Sequence, residues 1–222
     1  GPFSVRWYGV LFAGSFFVGL QIITWIFKLE KKSEKDLNAL VWYMIGGTVI
    51  GARLGHCLFY APAYYLSHPL EILFIWHGGL ASHGAAIGIL TAMYYYVKSR
   101  KGISYLWAFD RVVITVALAG AMIRLGNLFN SEIYGKPTGG DWGFVFKLVD
   151  DVPRHPTQLY EALAYIAIFI FLYLYYKKNY KTLPDGLLFG YFLSLVFGFR
   201  IFVEYFKENQ ESFENSMPLN MG

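Results

Sequence analysis

Six stretches of this chain are each long and apolar enough to cross a lipid bilayer, and this feature limits its fold more than any other. A hydrocarbon core about 30 Å thick needs about 20 predominantly apolar residues in a helix. Runs of that kind lie at about 7–27, 39–60, 79–97, 112–130, 158–176 and 187–206. Helices suit such runs because they satisfy every backbone polar group within the segment. Only 15% of the residues are charged, against about a quarter in soluble domains. The expected fold is an all-α integral membrane protein, a polytopic helical bundle forming one domain over residues 1–222.

Local signals mark several boundaries. Ser33-Glu34-Lys35-Asp36 resembles a capping box before the second span. Pro156 opens the fifth span, and Pro184-Asp185-Gly186 makes a turn before the sixth. Two Trp-, Phe- and Leu-rich stretches, about 69–76 and 104–110, are expected as helices lying at headgroup level. The chain begins Gly1-Pro2 without a cleavable signal peptide, and residues upstream of it are expected.

The net charge of +4 does not point to nucleic acid, because most charges sit in short clusters between the spans. Lys28, Lys31, Lys32 and Lys35 follow the first span; Lys98, Arg100 and Lys101 follow the third; Lys177, Lys178 and Lys181 follow the fifth. The connection between spans two and three carries no Lys or Arg. By the positive-inside rule the three basic loops are cytoplasmic and the N-terminus is outside. The long connection 131–157, in which Gly143 to Asp150 alternate like a short strand, is then an extracytoplasmic head. Residues 207–222 read as a polar outside tail. The single cysteine, Cys57, lies in an apolar stretch and reads as an inert buried thiol rather than a nucleophile.

Ionisable side chains inside spans cost about 2.5–3.5 kcal/mol each to insert, which makes them functional candidates. His83, Arg124, Arg200 and Glu204 are of this kind, with Arg53 a fifth. Arg200 and Glu204 share a helix face and are open to two readings, an internal ion pair or a ligand site. Arg124 either snorkels to the interface or, with Arg200, forms a phosphate clamp, since guanidinium forks match phosphate oxygens. His83 follows glycines at the start of the third span, and His77 reads as structural. The two are six apart, off any common helix face, which argues against a shared metal. Gln158 and Glu161 face the same way and either line a site or make a polar network.

Five segments, collinear over essentially the whole chain, resemble the prolipoprotein diacylglyceryl transferase family. They are Arg6-Trp7-Tyr8-Gly9, the stretch His77-Gly78-Gly79 through Ser82-His83-Gly84, the run from Arg124-Leu125-Gly126-Asn127 through Glu132-Ile133-Tyr134-Gly135, Arg154 through Glu161, and Arg200 through Glu204. The resemblance implies a bacterial cytoplasmic-membrane enzyme. It moves the diacylglyceryl group of phosphatidylglycerol to the lipobox cysteine of a prolipoprotein signal peptide and releases glycerol phosphate. It further implies that Tyr8, His83, Arg124, Asn127, Gly135, Arg200 and Glu204 matter, and that a seventh span is expected beyond Gly222.

The chemistry asks for a base at the thiol and cations at the leaving phosphate. Arg124 and Arg200 are assigned to the phosphate and His83 to the thiol. Tyr8, Asn127, Glu132, Gly135, Gln158, Glu161 and Glu204 are assigned to substrate binding, with Glu132 and Glu204 as further candidates for the base. No metal or organic cofactor is expected, and the expected partners are membrane lipids and the precursor peptide. A transporter or flippase for an anionic lipid or metabolite would use the same buried charges, although no inverted repeat of broken helices is visible.

Overall fold

A computed structural model of the chain describes residues 7–75, 79 and 81–209, with the backbone alone at Ser82. The expectations placed on Arg6, His77 and Gly78, and on the tail beyond residue 209, lie outside the described residues. Among the described residues seven α-helices form, in the order α1 Trp7–Leu29, α2 Glu34–Phe59, α3 Pro62–Ser67, α4 Ser82–Lys98, α5 Tyr105–Phe129, α6 Thr157–Asn179 and α7 Leu187–Glu204. Five of them, α1, α2, α5, α6 and α7, have the length and apolarity to cross a membrane; α4 is 17 residues long. The protein is therefore an all-α, polytopic membrane protein.

The local signals act largely as expected. Ser33 caps α2 by accepting from the Asp36 backbone N–H at 3.1 Å. Pro156 is the N-cap of α6, and Gly186 takes φ 92° in the turn before α7, a conformation glycine adopts without steric cost. The stretch 69–76 yields a 3₁₀ turn at Pro69–Leu73 following the short α3. No separate interfacial helix exists at 104–110. Those residues are the first turns of α5, because Ser104 accepts from the Trp107 N–H at 3.0 Å and no Gly or Pro occurs before Gly120.

The chain divides into two compact units, one from Thr24 to Ala108 and one made of the stretches before and after it. In the first unit, α2 packs on α4 through Gly47, Gly51 and Gly55 on one helix and Gly84 and Gly88 on the other. A Cβ on Gly55 would come within 2.5 Å of Gly84 Cα, and one on Gly51 within 2.7 Å of Gly88 Cα. Helices in lipid gain no hydrophobic driving force by meeting each other, so close backbone approach across small residues is how they associate. Arg53 is spent within this unit. Its guanidinium donates to the carbonyls of Ile72, Glu71 and Gly79 and lies 5.1 Å from the centre of the Tyr65 ring, fastening Glu71, Ile72 and Gly79 to α2.

In the second unit, Asp110 on α5 is fully buried and accepts from the N–H groups of Gly186 and Phe189 at 2.7 and 2.8 Å. A carboxylate from another helix thus satisfies donors that the first turn of α7 leaves free. The connection 131–157 contains β1 Phe144–Val145, paired antiparallel with β2 Pro153–Arg154. The expected strand is therefore two residues long, and the chain turns back at Phe146 to Asp150. Residues 135–137 add bridges on two sides, Pro137 to Arg154 and Gly135 to Lys207. Arg154 holds this small sheet together through Asp150 at 2.6 Å and Glu208 at 3.1 Å. The same hydrogen bonds keep the Asp150 carboxyl below the usual carboxylate range and raise the Arg154 guanidinium.

Candidate functional site

The second unit gathers nine of the ten residues the sequence singles out, Tyr8, Arg124, Asn127, Glu132, Gly135, Gln158, Glu161, Arg200 and Glu204. Its centre is a chain of buried charges. Arg124 Nε lies 3.1 Å from Glu161 Oε2, with Glu161 wholly buried and the Arg124 side chain 13% exposed. Lys207 Nζ lies 3.4 Å from Glu161 Oε1 and 3.1 Å from Glu204 Oε2, with no exposed side-chain surface of its own. The contact to Glu204 is one of charge rather than of a directed hydrogen bond, since both Glu204 oxygens lack a hydrogen-bond donor among the described residues. Tyr165 donates its hydroxyl to Glu161 Oε1 at 3.3 Å. Arg200, a turn before Glu204 on α7, is close enough to Tyr165 to act on it electrostatically.

Lys207 is thus not the first residue of a solvated tail. The bridge between Gly135 and Lys207 draws the chain after α7 back onto the connection, and Lys136 N–H donates to Phe206 C=O at 2.8 Å. Gly135 allows this. A Cβ there would lie 2.5 Å from the His155 carbonyl oxygen and 2.7 Å from that of Phe206, so only glycine leaves room for the two flanking backbones.

Above the charges stands a strained turn. Ser131 and Ile133 take φ values of 55° and 56°, a region that costs a non-glycine residue about 1–3 kcal/mol and is worst for a β-branched one. Neighbours hold the turn in place: Gln158 Nε2 donates to Glu132 C=O at 2.6 Å, and the Thr157 hydroxyl donates to Ile133 C=O at 2.9 Å. The turn presents the Glu132 carboxylate at the surface, where Asn127 and Asn130 donate to it at 3.1 and 3.2 Å. Asn127 Oδ1 and Gln158 Oε1 are buried acceptors with no donor among the described residues. Tyr8 packs against Gly126, where a Cβ would come within 2.7 Å of its ring, and both Arg124 and Glu132 act on its hydroxyl electrostatically.

His83 belongs to the other unit, on the first turn of α4, with its side chain exposed. Cys57, on α2 of that unit, is 2% exposed. Sequence reasoning missed Lys207, Thr157 and Asn130. The position of Lys207 three residues after Glu204 is the one local signal that could have raised it.

The whole chain, residues 1–222, matches the family described as prolipoprotein diacylglyceryl transferase. Relatives named phosphatidylglycerol–prolipoprotein diacylglyceryl transferase include the following. The protein of Chloroherpeton thalassium is 54% identical over 222 residues, which is 100% of this chain and 83% of that protein. That of Tolumonas auensis is 48% identical over 100% of this chain and 86% of its own length. That of Bacteroides fragilis is 43% identical over 99% of this chain and 83% of its own length. A match that runs from end to end, and that takes in the turn, the buried charges and the crowded glycine alike, places this chain in the prolipoprotein diacylglyceryl transferase family.

Proposed function

We propose that this enzyme transfers the diacylglyceryl group of phosphatidylglycerol to the lipobox cysteine thiol of prolipoproteins. In that reaction the thiolate sulfur attacks the glyceryl carbon that carries the phosphate, and a C–S bond forms as the C–O bond breaks. Glycerol phosphate departs with the electron pair, and the thiol proton passes to a base. The observation that carries the reading is the state of Arg124. Its Nε edge faces Glu161 Oε2 at 3.1 Å as a charge contact without a directed hydrogen bond, and its Nη groups make no hydrogen bond among the described residues. They offer a planar fork of the kind that meets phosphate oxygens in pairs.

Arg200 supplies a second cation on the same unit. Asn127 Oδ1, a buried acceptor in need of a donor, suits a headgroup hydroxyl of phosphatidylglycerol, with Tyr8 beside it. Gln158 and Thr157 hold the turn that presents Glu132. Glu161 and Glu204 act as buried counter-charges to the cations. The thiol proton is assigned to His83, with Glu132, the exposed carboxylate nearest in sequence to Arg124, as the alternative.

Incubating the purified protein with labelled phosphatidylglycerol and a lipobox peptide tests the activity, since only a transferase makes the thioether. The nucleophile belongs to the substrate, so Cys57→Ala is expected to keep most of the transfer rate. Complete loss in a folded variant would mean a covalent intermediate on the enzyme and would overturn direct transfer.

We also place the enzyme in the bacterial cytoplasmic membrane, with 131–157 as an extracytoplasmic head and the phosphate site toward the outer leaflet. The support is the basic loops at Lys28–Lys35, 98–101 and 177–181. In a Cys57→Ala background, an impermeant thiol reagent on intact cells should label a cysteine at Asp141 and spare one at Lys31. The opposite pattern reverses the topology.

A further inference from the structure

We infer that Lys207 is a positioning residue that keeps the Arg124 fork open for the lipid phosphate, an inference that rests on the reading of Arg124 given above. A lysine with no exposed side-chain surface is costly to bury, and an apolar residue would commonly serve stability as well or better. What the ammonium does here follows from the two oxygens of Glu161. Oε1 is turned to Lys207 at 3.4 Å, beside the Tyr165 hydroxyl that donates to it at 3.3 Å, and Oε2 faces Arg124 Nε at 3.1 Å as a charge contact without a directed hydrogen bond. A carboxylate facing a guanidinium prefers to take two parallel N–H donors at once. Were Glu161 free to rotate, it would close on Nε and an Nη together and remove half the fork from the substrate. Lys207, itself fixed by Glu204 at 3.1 Å and by the bridge to Gly135, supplies the charge that pulls Oε1 the other way, where the neutral Tyr165 hydroxyl alone offers one weaker hydrogen bond. The contact of Arg124 with Glu161 is thereby held to one edge.

The test uses the purified protein in detergent, with phosphatidylglycerol and lipobox peptide varied separately. Lys207→Met should raise the lipid KM by about 30-fold or more, the size expected when one partner of a buried charge cluster is truncated. The peptide KM should stay unaltered. Adding Glu161→Gln should recover much of the lipid KM, because an amide does not chelate guanidinium as a carboxylate does. A lysine that served folding alone would leave the lipid KM of the folded Lys207→Met protein unaltered, and the second substitution would only add damage; either result overturns the inference. If Lys207→Met does not fold, Lys207→Met/Glu204→Gln, which removes one charge of each sign, takes its place. The same rise in lipid KM is then expected, and an unaltered value overturns the proposal. Arg124→Lys, measured alongside, reports on the other reading: an unaltered lipid KM there refutes the phosphate role of Arg124 whatever Lys207 does.

Discussion

Arg124→Lys should reduce kcat/KM for transfer by about 100- to 1,000-fold, the loss seen when a preorganised donor to developing oxyanion charge is removed. The charge is kept, and a lysine ammonium can still approach Glu161, so folding should be little altered. What disappears is the planar pair of Nη groups, and with it the two-point grip on phosphate. The loss should appear in lipid binding as well as in turnover. His83→Gln makes the contrast. It should leave lipid binding intact and slow single-turnover transfer by about a hundred- to ten-thousand-fold, the range for lost acid–base help. Much of that rate should return as the peptide thiol ionises by itself, between about pH 6 and 9. Should His83→Gln weaken lipid binding as Arg124→Lys does, with no alkaline recovery, the base is to be sought at Glu132.

The other large effect belongs to the fold. Gly51→Leu should leave no folded protein, as read by thermal unfolding and gel filtration in detergent. Even the Cβ of an alanine at 51 would meet the Gly84 carbonyl oxygen and approach Gly88 Cα to 2.7 Å, and backbone cannot step aside as a side-chain end can. Overpacking of this kind costs about 1–3 kcal/mol and more where only main chain is in the way. Gly46→Ala, five residues earlier on the same helix, is the control. Nothing lies within 4 Å of its Cβ, so it should gain up to about 1 kcal/mol from helix propensity. Equal tolerance at both positions would refute the close packing of α2 on α4.

The long helices were legible because a span is written in contiguous residues, and the caps at Ser33 and Gly186 because their signals are local. The sequence also singled out nine residues of one unit: seven are charges or amides in or beside apolar spans, and Tyr8 and Gly135 came from the family resemblance. What escaped was whatever depends on pairing across the chain. Lys207 stands among Glu208, Asn209, Gln210 and Glu211 and reads as solvated; its burial comes from a bridge to Gly135, 72 positions earlier. Asp110 carries no local signal of its role, because besides the neighbouring Arg111 its partners are the Gly186 and Phe189 N–H groups, more than 70 positions away. The stretch 104–110 misled for the opposite reason, because aromatic composition is the same in an interfacial helix and in the first turns of a crossing one.

The seventh helix is pinned at both ends. Asp110 grips its first turn, and past its last turn the backbone of Phe206 and Glu208 is stitched to Lys136 and Tyr134. An element tied at both ends has no free end to swing, so α7 is a fixed part of its unit. It is a doorpost and not a door. Leu195, Ile201 and Phe202, exposed on this helix, are therefore carried on an element of set position.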